Sequence, residues 1–302
     1  MTDIIHIDSV DTYNRFFGLE TRHPLASVVD LRKATPAQPS FTFNYGIYAL
    51  FLKDTKCGDI RYGHQTYDYD EGTVVSFAPG QVASVKMTDT TRPTGLGLLF
   101  HPDLIKGTSL GQEIKSYSFF SYSSNEALHL SEDERHILQD CLDKIAIELD
   151  HPADRLSRRL ITRSIQLLLD YCMRFYERQF VTREAANRDV LARFEALMDD
   201  YFTAGLPRTE GLPTVKYFAQ RVFLSPNYFG DLIKKETGRT AQDLIQGRVI
   251  DRAKELMAGS SKTVSQIAYE LGFQYPQHLN RIFKKKTGLT PGEYRMRETG
   301  AN

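Results

Sequence analysis

Residues 263–290 read TVSQIAYELGFQYPQHLNRIFKKKTGLT, and residues 214–240 read TVKYFAQRVFLSPNYFGDLIKKETGRT. With one extra residue in the turn of the later stretch, the two align. Both begin with Thr-Val, carry an alanine four residues after that valine, and end in Lys-Lys-x-Thr-Gly. Self-similarity at an offset of about fifty residues predicts two copies of one supersecondary unit.

The later copy has the pattern of two helices joined by a turn. Thr263 is an N-cap candidate, apolar residues follow at helical spacing, and Ala268 is small enough for a second helix to cross closely. Gly272 supplies the turn, Pro276 begins the next helix, and Gly288 ends it. This pattern predicts a helix-turn-helix.

The earlier copy has the same organisation. Ser225 and Pro226 begin its second helix, and Phe223 stands where the later copy has its turn glycine. Residues 241–259 predict a single helix joining the two units. One copy alone would equally fit a structural helix pair; two copies with matching proline starts and Lys-Lys-x-Thr-Gly ends favour a repeated DNA-reading unit.

From Thr214 to about Arg297 the chain resembles the AraC/XylS family of bacterial transcription regulators. The resemblance is carried by IAYELGFQYPQHLNRIFKKKTGLTPGEYR in the second copy, which is close to that family's signature. It implies two recognition helices that enter adjacent major-groove segments on one face of double-stranded DNA, about one turn or ~34 Å apart.

The charge distribution agrees with a polyanionic partner for one part of the chain. The formal net charge is zero, yet residues 211–302 hold 15 Lys and Arg against 8 Asp and Glu, a net charge of +7. Residues 1–210 hold the other 23 basic and 30 acidic residues, a net charge of −7. A basic segment on an acidic body suits DNA binding, although a solvated basic face would give the same numbers.

Helix geometry assigns the DNA contacts. On the second recognition helix the outward Gln277, Asn280 and Arg281 are the expected base readers, because Gln and Asn can pair with adenine and Arg with guanine. On the first helix the predicted outward set is Asn227, Tyr228, Gly230, Asp231 and Lys234, of which Asn227 and Asp231 could reach bases. Phosphate contacts are expected from Lys234, Lys235, Lys284, Lys285 and Lys286, although these lysines also fit a solvated helix end.

Residues 26–101 show strand periodicity with frequent turns, which predicts a sandwich or barrel of antiparallel sheet. The resemblance implies a cupin-like effector barrel here. The fold class is therefore expected to be α+β, with an N-terminal cupin-like antiparallel β-barrel, flanking helices and a C-terminal all-α double helix-turn-helix domain. Its segments are predicted as 1–105 for sensing, 106–205 for dimerisation and connection, and 206–302 for DNA binding.

A small-molecule effector would meet aromatic walls with a few polar groups in this barrel. The candidate contacts are Arg61, Tyr45, Tyr62, His64 and Tyr67, and a plain aromatic core accounts for the same residues equally well. Catalytic cupins hold a metal with several histidines and a carboxylate. Here only His64 and possibly Glu71 are near, and the next histidine is His101, so no metal, cofactor or enzyme activity is predicted.

Three helices are predicted after Ser131. The first opens with a Ser131/Glu134 capping box. The second, at about 153–180, offers more apolar surface than the barrel's flank needs, and is predicted to bury Leu156, Leu160, Ile161, Ile165, Leu168, Leu169 and Cys172. We expect that helix to pair with its twin in a homodimer, with internal packing as the alternative. A third helix is predicted at about 187–202, followed by a linker at 203–213.

These features predict a DNA-binding transcription regulator, with contact to RNA polymerase if it activates. The alternatives are a cupin enzyme with a DNA-binding appendage and a regulator whose barrel only dimerises. No stretch reaches the ~18 apolar residues of a membrane span, and acidic residues stand at the N-terminus where a signal peptide would be basic. The three cysteines form no CxxC pair, so a cytoplasmic protein with reduced thiols is expected.

Overall fold

Strands are confined to one part of the chain and the remainder is helical, in a computed structural model that describes residues 4–37, 40–54, 59–62, 65–67, 72–86, 94–123 and 126–298. Contacts divide the chain into an N-terminal unit, Met1–Thr182, and a C-terminal unit, Arg183–Asn302. The α+β class is confirmed.

The described strands of the N-terminal unit form two five-stranded sheets. In chain order they are β1 Ile4–Ile7, β2 Ala26–Asp30, β3 Ser40–Tyr45, β4 Tyr48–Lys53, β5 Asp59–Tyr62, β6 Gln65–Tyr67, β7 Thr73–Phe77, β8 Val82–Lys86, β9 Gly95–Phe100 and β10 Leu128–His129. One sheet has the order β1-β3-β8-β5-β6 and the other β10-β7-β4-β9-β2.

The sheets differ from the predicted antiparallel barrel in one pairing. β1 runs parallel to β3, with Ile4 opposite Thr42, whereas the other pairs are antiparallel. Between these two strands the chain passes through helix α1, Val10–Phe16, and through β2, so it can return to the same end of the sheet. The two sheets share no strand among the described residues, and closure into a barrel stays a prediction.

Aromatic side chains from both sheets fill the space between them. Alternate residues of β3 point inward, as the period of two in a strand requires, and bury Phe41, Phe43 and Tyr45. Phe51 and Phe77 of the other sheet belong to the same core. Helix α1 adds buried residues to it, so the N-terminal segment is part of this core.

Besides α1, the described α-helices of the N-terminal unit are α2 Pro102–Ile105, α3 Ser109–Glu113, α4 Glu132–Asp150 and α5 Ser157–Thr182. Helices at α4 and α5 were predicted from the sequence, whereas α1, α2 and α3 were not. The capping box is confirmed, because Ser131 Oγ accepts from Glu134 N and the Glu134 carboxylate accepts from Ser131 N. α5 begins later than predicted, since the Asp154 carboxylate accepts the Leu156 and Ser157 N–H groups and caps the turn before it.

The apolar residues of α5 are divided between two faces. Five of those predicted to be buried pack inside the unit, largely against α4: Ile161, Ile165, Leu168, Leu169 and Cys172. Leu160 and Leu156, the residue just before α5, were also predicted to be buried but are 47% and 45% exposed in the single chain. Leu167 is 46% exposed, so leucines remain uncovered along one side of α5.

The C-terminal unit consists of helices. They are α6 Glu184–Thr203, α7 Pro207–Glu210, α8 Val215–Arg221, α9 Pro226–Thr237, α10 Ala241–Gly259, α11 Val264–Glu270, α12 Pro276–Thr287 and α13 Pro291–Glu298. The caps predicted from sequence form: Ser225 Oγ accepts from Tyr228 N, and Thr263 makes a capping box with Gln266. Both predicted helix-turn-helix units, α8–α9 and α11–α12, are present.

The segment 203–213, predicted to be a linker, packs within the C-terminal unit. It contains the one-turn helix α7, and Tyr201 donates a hydrogen bond from its hydroxyl to the Gly211 carbonyl at 3.0 Å. Arg208 lies 2.9 Å from the Glu270 carboxylate, and the Gly211 backbone lies against Gly272. Composition predicted a linker, whereas these contacts hold the segment within the C-terminal unit.

Gly272 is where this segment meets the second helix-turn-helix. Its φ is +88°, and a Cβ there would lie 2.5 Å from the Gly211 carbonyl carbon. Gly288 also has positive φ, at +80°, with no atom within 4 Å of an added Cβ. Substitutions at the two glycines can therefore distinguish the cost of a left-handed backbone from the cost of a steric clash.

We expect Gly272→Ala to lower the free energy of unfolding by clearly more than Gly288→Ala. Gly288→Ala should cost only the ~1–2 kcal/mol of a left-handed residue with a Cβ, whereas Gly272→Ala must also displace the Gly211 backbone. Equilibrium urea unfolding of both variants provides the measurement. Equal losses would show that the Gly211–Gly272 contact is unimportant for stability.

Candidate nucleic-acid interface

The second recognition helix, α12, separates a buried face from a polar one. Leu279 and Phe283 are fully buried in the core of the second helix-turn-helix. The predicted base readers Gln277, Asn280 and Arg281 are exposed. Residues spaced three or four apart share a helix face, so these three side chains lie together on the outer side of α12.

Two of the predicted phosphate contacts on α12 are unpaired. Lys284 and Lys285 are exposed and form no ion pair with another described residue, and the same holds for Arg281. Their location at the C-terminal end of α12 also complements the helix dipole. The exposed face of α12 thus combines side chains that can read base edges with cations that can neutralise phosphates.

Lys286 has a different surrounding from its neighbours. Its Nζ lies 3.1 Å from Asp243 Oδ1 in the first turn of α10. The Lys286 ammonium, with the Thr240 hydroxyl, lowers the pKa of Asp243. Lys286 therefore joins the end of α12 to the start of α10, a contact that sequence reasoning missed. The T-x-x-D pattern at Thr240 marks Asp243 as a capping residue but not as a partner for a distant lysine.

On the first recognition helix, α9, the expected polar residues are at the surface. Asn227, Lys234 and Lys235 are exposed, and Asp231 is half-buried. A Cβ added at Gly230 would meet nothing within 4 Å, so this position leaves a gap in the outer face. The first helix therefore presents fewer groups to DNA than α12 does.

The prediction that Tyr228 faces outward is wrong. Tyr228 is only 5% exposed and lies on the buried side of α9. It stands one residue before Phe229 and four before Leu232, both of which are buried, so it completes their stripe. Its phenol is therefore not positioned for a base contact.

The turn of the first helix-turn-helix has the same backbone geometry as the second. Leu224 N donates to Ala219 O at 2.9 Å, and Phe273 N donates to Ala268 O at 2.9 Å in the equivalent position. Phe223 occupies the turn with φ of +61°, and its side chain is 67% exposed. A bulky residue in this conformation is strained, and its ring receives little packing in return.

Helix α6 contacts both helix-turn-helix units. The Phe194 ring lies 5.1 Å from the rings of both Phe218 and Phe229 in the first helix-turn-helix. Eight residues later, Phe202 belongs to the buried core of the second. Asp199, between them, pairs with Arg248 of α10 at 2.6 Å. The i, i+8 spacing on one helix face was visible in the sequence, but it does not name the partners of these rings.

With α6 included, the charge asymmetry persists at a smaller value. Residues 183–302 hold 19 Lys and Arg against 14 Asp and Glu, a net charge of +5. The first 182 residues hold 19 basic and 24 acidic residues, a net charge of −5. Residues 183–210 hold 4 basic and 6 acidic residues, which accounts for the difference from the value of +7 for residues 211–302.

The residues predicted to bind an effector do not form a described cavity. Tyr45 is 3% exposed and stacks on Phe77, with ring centroids 4.8 Å apart, inside the aromatic core. Arg61, Tyr62 and Tyr67 lie on the paired strands β5 and β6, whose backbone alone is described. His64 and Glu71 fall outside the described residues.

Among the described residues, no group of three or more His, Cys, Asp or Glu side chains could hold a metal ion. None of the helices described has both the length and the apolar character needed to cross a membrane.

Comparison with known proteins places a helix-turn-helix domain at residues 218–297. YesN of Bacillus subtilis, an uncharacterized transcriptional regulatory protein, is 39% identical over 83 residues, which are 27% of this chain and 23% of YesN. YijO of Escherichia coli, an uncharacterized HTH-type transcriptional regulator, is 28% identical over 48% of this chain and 47% of its own length. The chain thus spans less than half of either relative.

A solved structure, the C-terminal domain of the response regulator yesN from Fusobacterium nucleatum, aligns with 34% of this chain and 93% of its own. Its sequence identity is 24% and its TM-score 0.30.

We expect Phe223→Gly to raise the free energy of unfolding by about 1 kcal/mol, because it relieves the left-handed strain of an exposed residue. Phe223→Asn should give a smaller gain, since asparagine tolerates this conformation better than phenylalanine. Urea unfolding compares both with the unchanged chain. A loss of stability in Phe223→Gly would mean that the ring makes stabilising contacts that outweigh its strain.

Proposed function

We propose, from the AraC-type helix-turn-helix domain that residues 218–297 form, that this chain is a sequence-specific DNA-binding transcription regulator. The observation that carries the proposal is the repeat of two recognition helices, each with a buried apolar stripe and an exposed polar and basic face. Helices of this kind read DNA from the major groove.

The two helices contribute unequally. Gln277, Asn280 and Arg281 of α12 read base edges, and Lys284 and Lys285 contact phosphates. Asn227 and Asp231 provide base contacts from α9, with Lys234 and Lys235 on the backbone. Because Gly230 leaves a gap in α9, sequence preference should be stronger in the half-site that α12 reads.

Lys286 has a supporting part in this proposal. Its ammonium donates to Asp243 and keeps further N–H donors, but part of its charge is already balanced by that carboxylate. We therefore expect Lys286 to contribute less to phosphate binding than Lys284 or Lys285. The pair also joins the C-terminal end of α12 to the start of α10.

We further propose that the N-terminal unit regulates DNA binding as a homodimer that responds to a small-molecule effector. The exposed leucines Leu156, Leu160 and Leu167 support dimerisation through α5, since an apolar side of a helix gains free energy when covered. A cupin-like barrel with effector contacts at Arg61, Tyr62, His64 and Tyr67 remains part of this proposal, together with RNA polymerase as partner if the chain activates.

Arg281→Ala should relax preference at one base pair by about 1–3 kcal/mol, because a bidentate arginine–guanine pair is lost. Lys285→Ala should weaken binding to every sequence and reduce the salt slope by about one. Sites selected from random DNA, followed by titrations at several salt concentrations, measure both effects. Lys254→Ala is the matched control, since Lys254 pairs with Asp251 within α10. Uniform losses from both interface variants would refute the division into base and phosphate contacts.

We expect the full chain to sediment as a dimer and the double variant Leu160→Glu, Leu167→Glu to sediment as a monomer. Charged side chains at these positions would have to be buried without partners in the interface. Ile147→Glu is the control, because Ile147 is 61% exposed on a different helix, α4. A monomeric unchanged chain would exclude the proposed α5 interface.

A further inference from the structure

A cavity of about 360 Å³ opens in the N-terminal unit, beside the free edge of β2. Its walls come from the segment after α1, from β2 and the turn that follows it, and from the last turns of α4. Its volume is in the range of small-molecule sites, about 300–1,000 Å³. Val29 and Leu19 in its wall also belong to the aromatic core or pack against it, whereas Tyr45 does not line the cavity.

His23 supplies a hydrogen-bond donor, its Nε2–H group, to this wall. Its Nδ1 accepts from the backbone N–H groups of Leu25 and Ala26, at 3.2 and 3.1 Å. Burial lowers the pKa of His23, which favours the neutral ring. With Nδ1 acting as an acceptor, the proton of the neutral imidazole resides on Nε2, which is therefore a donor.

The acidic side chains of the wall are already paired with arginines. Asp150, the last residue of α4, receives two hydrogen bonds from Arg22 Nη1, each at 2.8 Å, and Glu20 receives one from Arg22 Nε at 3.2 Å. The Asp30 carboxylate is held by Arg32 at 2.9 Å. Arg22 is shared by Asp150 and Glu20, so three carboxylates face two arginines, and Lys33 supplies the positive charge that balances the third.

Lys33 is the remaining charged group of the wall. It is exposed and makes no ion pair or hydrogen bond with another described residue, although its charge, after the hydrogen bonds from Arg32, helps to lower the pKa of Asp30. Its ammonium and His23 Nε2–H are thus two donors available to a ligand. Apolar side chains also line the cavity: Leu19 from the segment after α1, and Ala146 and Leu149 from α4. A cavity that offers two donors and apolar side chains suits an organic acid.

The fully buried Asn14 forms hydrogen bonds with residues of the cavity wall. Its Nδ2 lies within hydrogen-bonding distance of Glu20 O, Thr21 Oγ1 and Ser27 Oγ, at 3.3, 3.1 and 3.4 Å. Glu20 and Ser27 belong to the cavity wall. A buried side chain that links the segment after α1 to β2 keeps the cavity preformed, which lowers the entropy cost of binding.

We propose that this cavity binds a small organic acid, with its carboxylate at Lys33 and His23 Nε2 and its apolar body against Leu19, Ala146 and Leu149. Binding of the acid stands on the cavity alone. Its regulatory consequence rests on the proposed function: the Arg22–Asp150 pair connects the wall to the end of α4, just before α5, the helix proposed to dimerise.

Three compounds of similar shape but different charge test the ligand class: cyclohexanecarboxylate, cyclohexanecarboxamide and cyclohexylmethylamine. Titration calorimetry with the full chain should show the carboxylate binding at least about tenfold more tightly than the amide and the amine, because only it makes a charge-assisted pair with Lys33. Hexanoate, hexanamide and hexylamine repeat the comparison with a flexible body. Amine binding equal to that of the acid, or no binding by either acid, would overturn the proposal.

Two variants locate the site. Lys33→Gln keeps the side-chain length without the charge and should weaken carboxylate binding about tenfold, whereas Lys115→Gln, an exposed lysine outside the cavity, should leave it unchanged. Ala146→Phe should fill the cavity and abolish binding. Unchanged affinity in both Lys33→Gln and Ala146→Phe would contradict the site.

Salt-dependent DNA binding by the same unliganded preparations tests the proposed function separately. Retained DNA binding without acid binding would refute the cavity proposal alone, whereas acid binding without DNA binding would refute the regulator.

Discussion

Phe194 packs against one aromatic ring from each helix of the first helix-turn-helix, and the C-terminal unit depends on this contact. The same helix, α6, continues to Phe202 in the core of the second unit. A single helix that contacts both cores restricts the rotation of one helix-turn-helix unit relative to the other. Helix α10, which joins the two units along the chain, has the same effect. Two readers can recognise adjacent groove segments only if their spacing is maintained.

The core of the N-terminal unit lies between two sheets rather than between helices. Its sheets enclose aromatic rings from both sides and from α1, so the interior is a solid core where Tyr45 and Phe77 stack. Space for a ligand is found instead at the edge of β2, where sheet, turn and helix meet. Irregular junctions of this kind leave gaps that regular sheet-on-sheet packing closes.

Local signals in the sequence were sufficient for the elements of the C-terminal unit. Caps such as Ser225 and Thr263 act within one turn, so their residue types predict the helix starts directly. Tyr228 was misplaced because its orientation depends on which neighbours complete the buried stripe of α9. The segment 203–213 was misread because Gly and Pro favour turns whether or not a distant partner, here Gly272, orders them.

For the candidate DNA interface, the sequence predicted which face of α12 is exposed, but not the contacts that its side chains make with other helices. Gln277, Asn280 and Arg281 follow from helical spacing, since the opposite residues had to be buried. The Lys286–Asp243 pair joins residues 43 positions apart, and periodicity within one helix carries no information about such a partner. The same limit applied to Leu160, whose exposure depends on which side of α5 meets α4.

The two turns of the repeat are under unequal constraint. At Gly272 the neighbouring backbone leaves no room for a side chain, whereas the turn at Phe223 has its side chain largely in solvent. After a duplication, substitutions at the first turn would cost only local strain, whereas those at the second would disturb a tertiary contact as well. The first turn therefore tolerates side chains that the second turn excludes, so the two copies of the repeat are not equally open to substitution.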